Sequence, residues 1–446
     1  MASLPVELLS EIFVHSMPET HSNASIHDSP LLLTRVCRLW RDLAFATPVL
    51  WAAFSIELVS DKKILSPNNA NLWLSRSQNL PLSIYVEDSS VSEPDLQRWA
   101  FYEELCRHAH RWQDVTLNIP FTILWRLPIQ HRGALVMLER LKMGRDEGEQ
   151  YVPDHRVTTF MTAPQLRAVD ITLDADQTVN VQGISLPWAQ LTVFRGRPFA
   201  TDECLFVLLQ ATRLTECEFD DIIEGNSYEY VVAPSLQVLR LDSFPLHTCA
   251  PVMSLLTVPT LRKLALGSKT QNAPGDIVWP AFRRFLSRSS CSLTHLLISA
   301  NTSVSEWDRI MLHYSLFPLL EHLEIFWFHE DSNIVPLIQT SDTGTPLPRL
   351  HAIVLHSQTS PKEASLMNII SLLFARTADD WPATSLRRFE YTWDTVLETK
   401  YLLDETVRAL TRCREILACV PFRFGGSNYS QGHWQPLISY VTVATL

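Results

Sequence analysis

The stretch "VPTLRKLAL", residues 258–266, decides the fold. Leu261 is followed three positions on by Leu264, and two positions further by Leu266. The last step has the period of a β-strand, so Leu264 and Leu266 point to one side while Lys263 and Ala265 point to the other. Pro259, just ahead, cannot continue a helix and marks where a preceding one has to stop. The same pattern recurs in "APSLQVLRL" (233–241), "FPLLEHLEI" (317–325) and "LPRLHAIVL" (347–355).

Outward from these four copies the spacing continues in both directions. Towards the N-terminus it gives Leu214/Cys217/Phe219, Leu191/Phe194/Gly196, Leu166/Val169/Ile171, Leu138/Leu141/Met143 and Trp112/Val115/Leu117. Leu293/Leu296/Ile298 falls between the quoted copies, and Leu386/Phe389/Tyr391 follows them. An earlier strand is predicted in "LPLSIYVED" (80–88), where Leu82, Ile84 and Val86 alternate. Intervening segments such as "DECLFVLLQA" (202–211) predict outer helices. The first residues of successive copies lie 22 to 36 positions apart, and most of these steps fall in the range of about 20–29 that leucine-rich repeats use. The position after the strand that carries Asn in that pattern does so here only at Asn301, which predicts an irregular array. Residues 81–424 are therefore expected to form a leucine-rich-repeat-like α/β solenoid, with "SDTGTPLP" (341–348) as a loop. The pattern breaks over residues 425–446, the expected cap or tail.

Alternation along each strand leaves a second row facing away from the core. That row contains Arg195 and Arg197, Glu216 and Glu218, Phe326 and Phe328, and His356. Its charges change sign from copy to copy, as on a protein-binding face, and these seven side chains are the candidate client contacts. The two phenylalanines have two readings: exposed anchors of a binding face, or side chains covered by the C-terminal tail.

The beginning of the chain is of another kind. "LPVELLSEIF" (4–13) puts Leu4, Leu8 and Ile12 on one helical line, with Leu9 and Phe13 beside it, after Ser3 as expected N-cap and Pro5 in the first turn. After a polar gap, Ser29 and Pro30 predict a second helix through "LLLTRVCRLWRDLAFATP", with Leu32, Val36, Leu39 and Leu43 at helical spacing. Short helices this apolar make a marginal core alone and call for a partner that covers them. Arg35, Arg38 and Arg41 read as a solvated helix face. The whole stretch, "LPVELLSEIF…LLLTRVCRLWRDLAFATPVLW", resembles the F-box as it occurs in fungal F-box proteins with a longer gap between the first helices. The resemblance implies an all-helical module over residues 1–58 that docks on the Skp adaptor of SCF (Skp–cullin–F-box) ubiquitin ligases, followed by a linker and helix over 59–80. The residues carried over to adaptor binding are Leu4, Pro5, Glu7, Leu8, Ile12, Phe13, Val36, Cys37, Trp40, Leu50 and Trp51. Two functions fit: a substrate receptor that brings a client protein to cullin-RING machinery, or a scaffold that binds the adaptor without directing ubiquitylation.

Composition narrows the remaining classes. Apolar residues make up 46% of the 446 and charged ones 19%, which suits a chain with a large buried core. A net charge of -11 argues against nucleic-acid binding as the main activity. No apolar run approaches the roughly 20 residues of a membrane helix, and no leader-like segment opens the chain. The eight cysteines contain no C-x-x-C pair, so reduced thiols and a cytoplasmic or nuclear setting are expected. Only 12 glycines occur and no phosphate-cradling motif is present. "CRHAH" (106–110) groups Cys106, His108 and His110 but has no fourth ligand in reach of its spacing. No enzyme activity, cofactor or metal is expected.

Overall fold

The computed structural model describes residues 4–17, 29–58, 67–88, 96–129, 134–144, 156–172, 181–226, 229–243, 246–267, 278–299, 316–326, 347–357, 367–372, 387–393, 422–428 and 433–436. The chain divides into two compact units, Met1–Leu214 and Thr215–Leu446.

Among the described residues of the first unit, six strands of the main sheet follow one another: β1 (Ala53–Leu58), β2 (Leu82–Asp88), β3 (Trp112–Asn118), β4 (Arg140–Gly144), β5 (Ala168–Thr172) and β6 (Val193–Arg197). Each pairs in parallel with the next. The register keeps equivalent positions level, so Val115 faces Leu141, Leu141 faces Val169 and Val169 faces Phe194. All four are buried, as are Leu138, Leu166 and Leu191 ahead of their strands. One such copy exposes its apolar side to water; stacking them in parallel removes it, and this drives the architecture.

Two glycines mark tight places in this stack. Gly144 ends β4 at φ +132, and a Cβ there would lie 1.6 Å from the Thr172 carbonyl oxygen of β5. Gly196 occupies the last inward position of β6, where other copies carry a large apolar side chain. The Phe199 ring fills that space, 2.8 Å from where a Cβ would stand.

The connections are uneven. Helix α3 (Pro67–Arg76) precedes β2, and α4 (Leu96–Arg107) precedes β3. Among the described residues between β5 and β6 there are two 3-10 turns, Val181–Gly183 and Trp188–Gln190, whereas helix Thr201–Gln210 follows β6. Two polar devices lock the helical connections. Asp88, fully buried at the end of β2, accepts a hydrogen bond from Tyr102 on α4 (2.9 Å) and lies 3.3 Å from the Arg98 guanidinium. Arg111 closes the open end of α3, donating to the carbonyls of Leu74 (3.2 Å) and Leu80 (2.9 Å) and to the Ser77 hydroxyl (2.6 Å). Such partners are needed because a buried, unmatched charge or carbonyl is costly.

The second unit repeats the scheme with β7 (Glu216–Asp220), β8 (Val238–Asp242), β9 (Lys263–Gly267), β10 (His295–Ser299), β11 (His322–Phe326), β12 (Ala352–Ser357), β13 (Arg388–Trp393), β14 (Phe422–Asn428) and β15 (His433–Pro436). All successive pairs are parallel up to β14, and β15 returns antiparallel to it. Cys217, Leu239, Leu264, Leu296, Leu323 and Ile353 stand level and buried. Arg288, in helix Val278–Ser289, plays the part of Arg111: it donates to the carbonyls of Met253 (2.6 Å) and Leu256 (2.5 Å) at the end of helix Cys249–Leu255.

The fold class expected from the sequence, an α/β solenoid led by a separate all-helical module, requires correction. The chain is a mixed α/β fold built on long parallel sheet, and its N-terminal 58 residues are not all-helical. They contribute helices of ten and nine residues and two short 3-10 turns. They then enter the sheet as β1, which pairs with β2 over its whole length. The physical reason lies in "AFSIEL" (53–58): Phe54, Ile56 and Leu58 alternate and are buried. A parallel neighbour with the same period removes them from water better than a further helical turn would.

Candidate interaction surfaces

Two kinds of surface stand out, one on the N-terminal helices and one on the side of each unit's strands that faces away from the core.

Helix α1 (Val6–His15) starts behind Pro5, with Glu7 in its first turn near the positive helix end. Leu9 and Phe13 turn inward, whereas Leu8 (52% exposed) and Ile12 (48%) lie on the other side with Leu4 and Val6. The second predicted helix, from Ser29 onward, is broken: a 3-10 turn at Leu33–Arg35 is followed by a fresh start, α2 (Arg38–Ala46). Cys37 provides that start, its Sγ accepting from the Trp40 amide at 3.5 Å. The break buries Leu33 and Thr34 and leaves Leu32, Val36 and Leu39 roughly half exposed.

Beneath this face lies an aromatic support. The Phe13 and Trp40 rings meet edge-on at 5.0 Å. Trp51, fully buried, donates its Nε1–H to the Ala44 carbonyl at 2.8 Å and meets Trp73 at 4.9 Å. The Arg76 guanidinium lies over Phe45 at 4.0 Å and over Trp51 at 4.6 Å. Burial against these rings lowers the Arg76 pKa from its ordinary value.

The residues assigned to adaptor binding therefore separate into two sets. Leu4, Pro5, Glu7, Leu8, Ile12, Val36 and Cys37 are exposed, and Trp40 is half-buried. Phe13, Leu50 and Trp51 have no exposure at all; they hold the surface up from below and cannot touch a partner in this conformation. Val6, Leu32, Leu39 and Val49 belong to the surface without having been expected there, and each is 45–50% exposed. Helical spacing already put Leu32 and Leu39 on a common line. Nothing in the spacing said that the line faces outward.

The second surface is built by alternation. Glu216, Arg195 and Arg197 are exposed, and Glu218, Phe326 and His356 are half-buried. Phe328 lies outside the described residues. Among the described residues, outward carboxylates are matched by permanent cations in each unit: Asp114 with Arg140 (2.8 Å) and Asp170 with Lys142 (3.3 Å) in the first, Glu218 with Arg240 (3.5 Å) and Glu390 with Arg388 (2.9 Å) in the second. Glu324 on β11 differs. Its oxygens lie 3.6 Å from His322 Nε2 and 3.7 Å from His356 Nε2. The two imidazoles hold its carboxyl down at about 2, against the opposing effect of burial. Phe326 stacks on His356 at 4.2 Å and 19°, and His295 on His322 at 5.4 Å and 15°.

Other chemistry is sparse. Among the described residues no group of three or more His, Cys, Asp or Glu side chains could hold a metal ion. His108 and His110 stack at 6.4 Å, while the nearby Cys106 thiol is buried and pushed up to about 12 by desolvation. Cys204, Cys217 and Cys249 are likewise buried thiols outside any disulfide, and Cys37 is exposed. No described helix is long and apolar enough to cross a membrane. Comparison with known proteins adds no assignment: no family model matches the chain and no curated protein does.

Proposed function

We propose that this protein is the substrate-recognition subunit of an SCF-type ubiquitin ligase. In this reading the N-terminal helices dock on the Skp adaptor, and the outward face of the sheet holds a client protein. The chain supplies no catalytic group; its contribution is proximity, since holding a client beside the transfer machinery turns a bimolecular encounter into a local one. The observation that carries the reading is the position of Leu4, Leu8, Ile12 and Val36. These residues match the F-box motif, yet each is about half exposed while their neighbours Leu9, Phe13 and Leu33 are buried. An apolar row displayed on a braced aromatic support is what a docking helix face requires.

The test is to purify the full chain from cells by an affinity tag and probe the complex for the adaptor and for cullin. A Leu8→Ala/Ile12→Ala variant should lose both. Adaptor and cullin present, with a client whose ubiquitylation requires this chain, support the receptor reading. Adaptor retention equal to wild type in the double variant refutes the docking assignment, and a complex with adaptor but without cullin leaves only the scaffold.

A further inference from the structure

The sheet face proposed to bind a client carries one site of distinct chemistry, and the role inferred for that site rests on the proposal. Glu324 sits in the middle of β11, level with Leu297 on one neighbouring strand and Val354 on the other. At the equivalent middle positions elsewhere, Asp170 has Lys142 beside it and Glu218 has Arg240, in both cases on the adjacent strand. The sheet thus provides those carboxylates with a cation from within, whereas among the described residues the groups paired with Glu324 are the imidazoles of His322 and His356. Among the described residues, the strands flanking β11 carry no Lys or Arg at all; the next strands out carry Arg388, bound to Glu390, and Lys263, level with His295.

The rings complete the environment. Phe326 and His356 form a nearly parallel stack across β11 and β12, and His295 with His322 a second across β10 and β11. Each Glu324 oxygen has one imidazole at long range, 3.6 and 3.7 Å, and keeps a further acceptor position, so the carboxylate among these rings suits a planar cation that can approach both oxygens and lie against an aromatic face. A guanidinium does this; an ammonium forms only a point contact. We infer that the Glu324 site on β11 receives an arginine side chain from the client, with Phe326 and His356 as its platform.

The experiment is fluorescence anisotropy with the full chain and a labelled Gly-Arg-Gly-Arg-Gly peptide, set against the same peptide with Lys or Glu in place of Arg. The expected order is Arg above Lys, with no binding of the Glu peptide. Glu324→Gln should weaken the Arg peptide by about fivefold or more, the worth of one charge-assisted paired contact. His356→Lys, which builds a cation into the site from within, should weaken it similarly. Glu390→Gln, whose carboxylate is already matched by Arg388, should change nothing. Melting curves of all three variants keep folding separate from binding, because each substituted side chain lies on the outward face. Unchanged Arg-peptide binding by Glu324→Gln, or an equal loss in Glu390→Gln from the net negative charge alone, overturns the inference. Either outcome leaves the adaptor assignment standing, since that is read by co-purification and not by peptide binding.

Discussion

The N-terminal helices and the outward face of the sheet solve opposite problems. The helices leave apolar side chains in water, with Leu8, Ile12 and Val36 about half exposed and a fully buried Trp51 beneath them. The sheet face exposes mainly charged side chains and matches them against each other across neighbouring strands, as Arg140 does with Asp114. Covering the first arrangement would be favourable, since removing apolar area from water is worth about 25 cal/mol per Å². The second would gain little: exposed ion pairs contribute about 0–1 kcal/mol each and mainly decide which partners are tolerated. On the proposed function, one region would supply affinity and the other selection.

That contrast can be broken most forcefully from below. Trp51→Ala removes a large buried ring together with its hydrogen bond to Ala44 and its contact with Trp73. It should cost about 3–5 kcal/mol of stability, read as a large drop in the unfolding midpoint. If it melts like the parent, the aromatic support is not what holds the helices.

Asp88→Ala should act on a similar scale, about 3–5 kcal/mol, because it leaves the Arg98 guanidinium buried without its carboxylate. Denaturant titration checks it, and a substitution of both partners by apolar residues should recover much of the loss.

The Leu8→Ala/Ile12→Ala pair sharpens the comparison, because folding and binding should part company. Each residue is half exposed, so stability should move by about 0.5 kcal/mol or less per site. Adaptor affinity should fall about thirtyfold, roughly 2 kcal/mol. A fall in melting temperature that parallels the lost binding would mean these side chains belong to the core after all.

The smallest effect is expected on the sheet face. Arg140→Ala removes an exposed ion pair whose arginine side chain is 55% accessible, so stability should change by less than about 1 kcal/mol after solvent screening. A larger loss would show that the cross-strand pairs hold the sheet together, and the two regions would then no longer divide affinity from selection.

Legibility in the sequence differs between the same two regions. The repeated L-x-x-L-x-L spacing predicts β3 to β13 and their inward rows, from Val115 and Leu117 to Phe389. It also predicts the helix at 202–211, observed as Thr201–Gln210. The candidate residues of the sheet face are legible for the same reason: a period of two assigns each side chain to one side. The N-terminal stretch is legible only in part. Its helical spacing identifies which residues share a line, but the motif also assigns Phe13, Leu50 and Trp51 to the contact surface, and all three lie inside. The helix break at Val36 and Cys37 leaves no clear mark in the sequence, because Cys37 is a weak and uncommon cap.

By itself, then, the sequence determined the strand repeat and the alternation of its two faces, because both are consequences of local period and steric stops such as Pro259. Tertiary structure decided that residues 53–58 join the sheet instead of completing a helical module, since their pairing partner, Leu82–Asp88, lies far along the chain. It also decided which side of the N-terminal helices is covered, through Trp73 and Arg76 of α3. And it decided that Glu324 meets histidines where other carboxylates meet arginine or lysine. Periodicity says which side chains lie together; only packing says what they lie against.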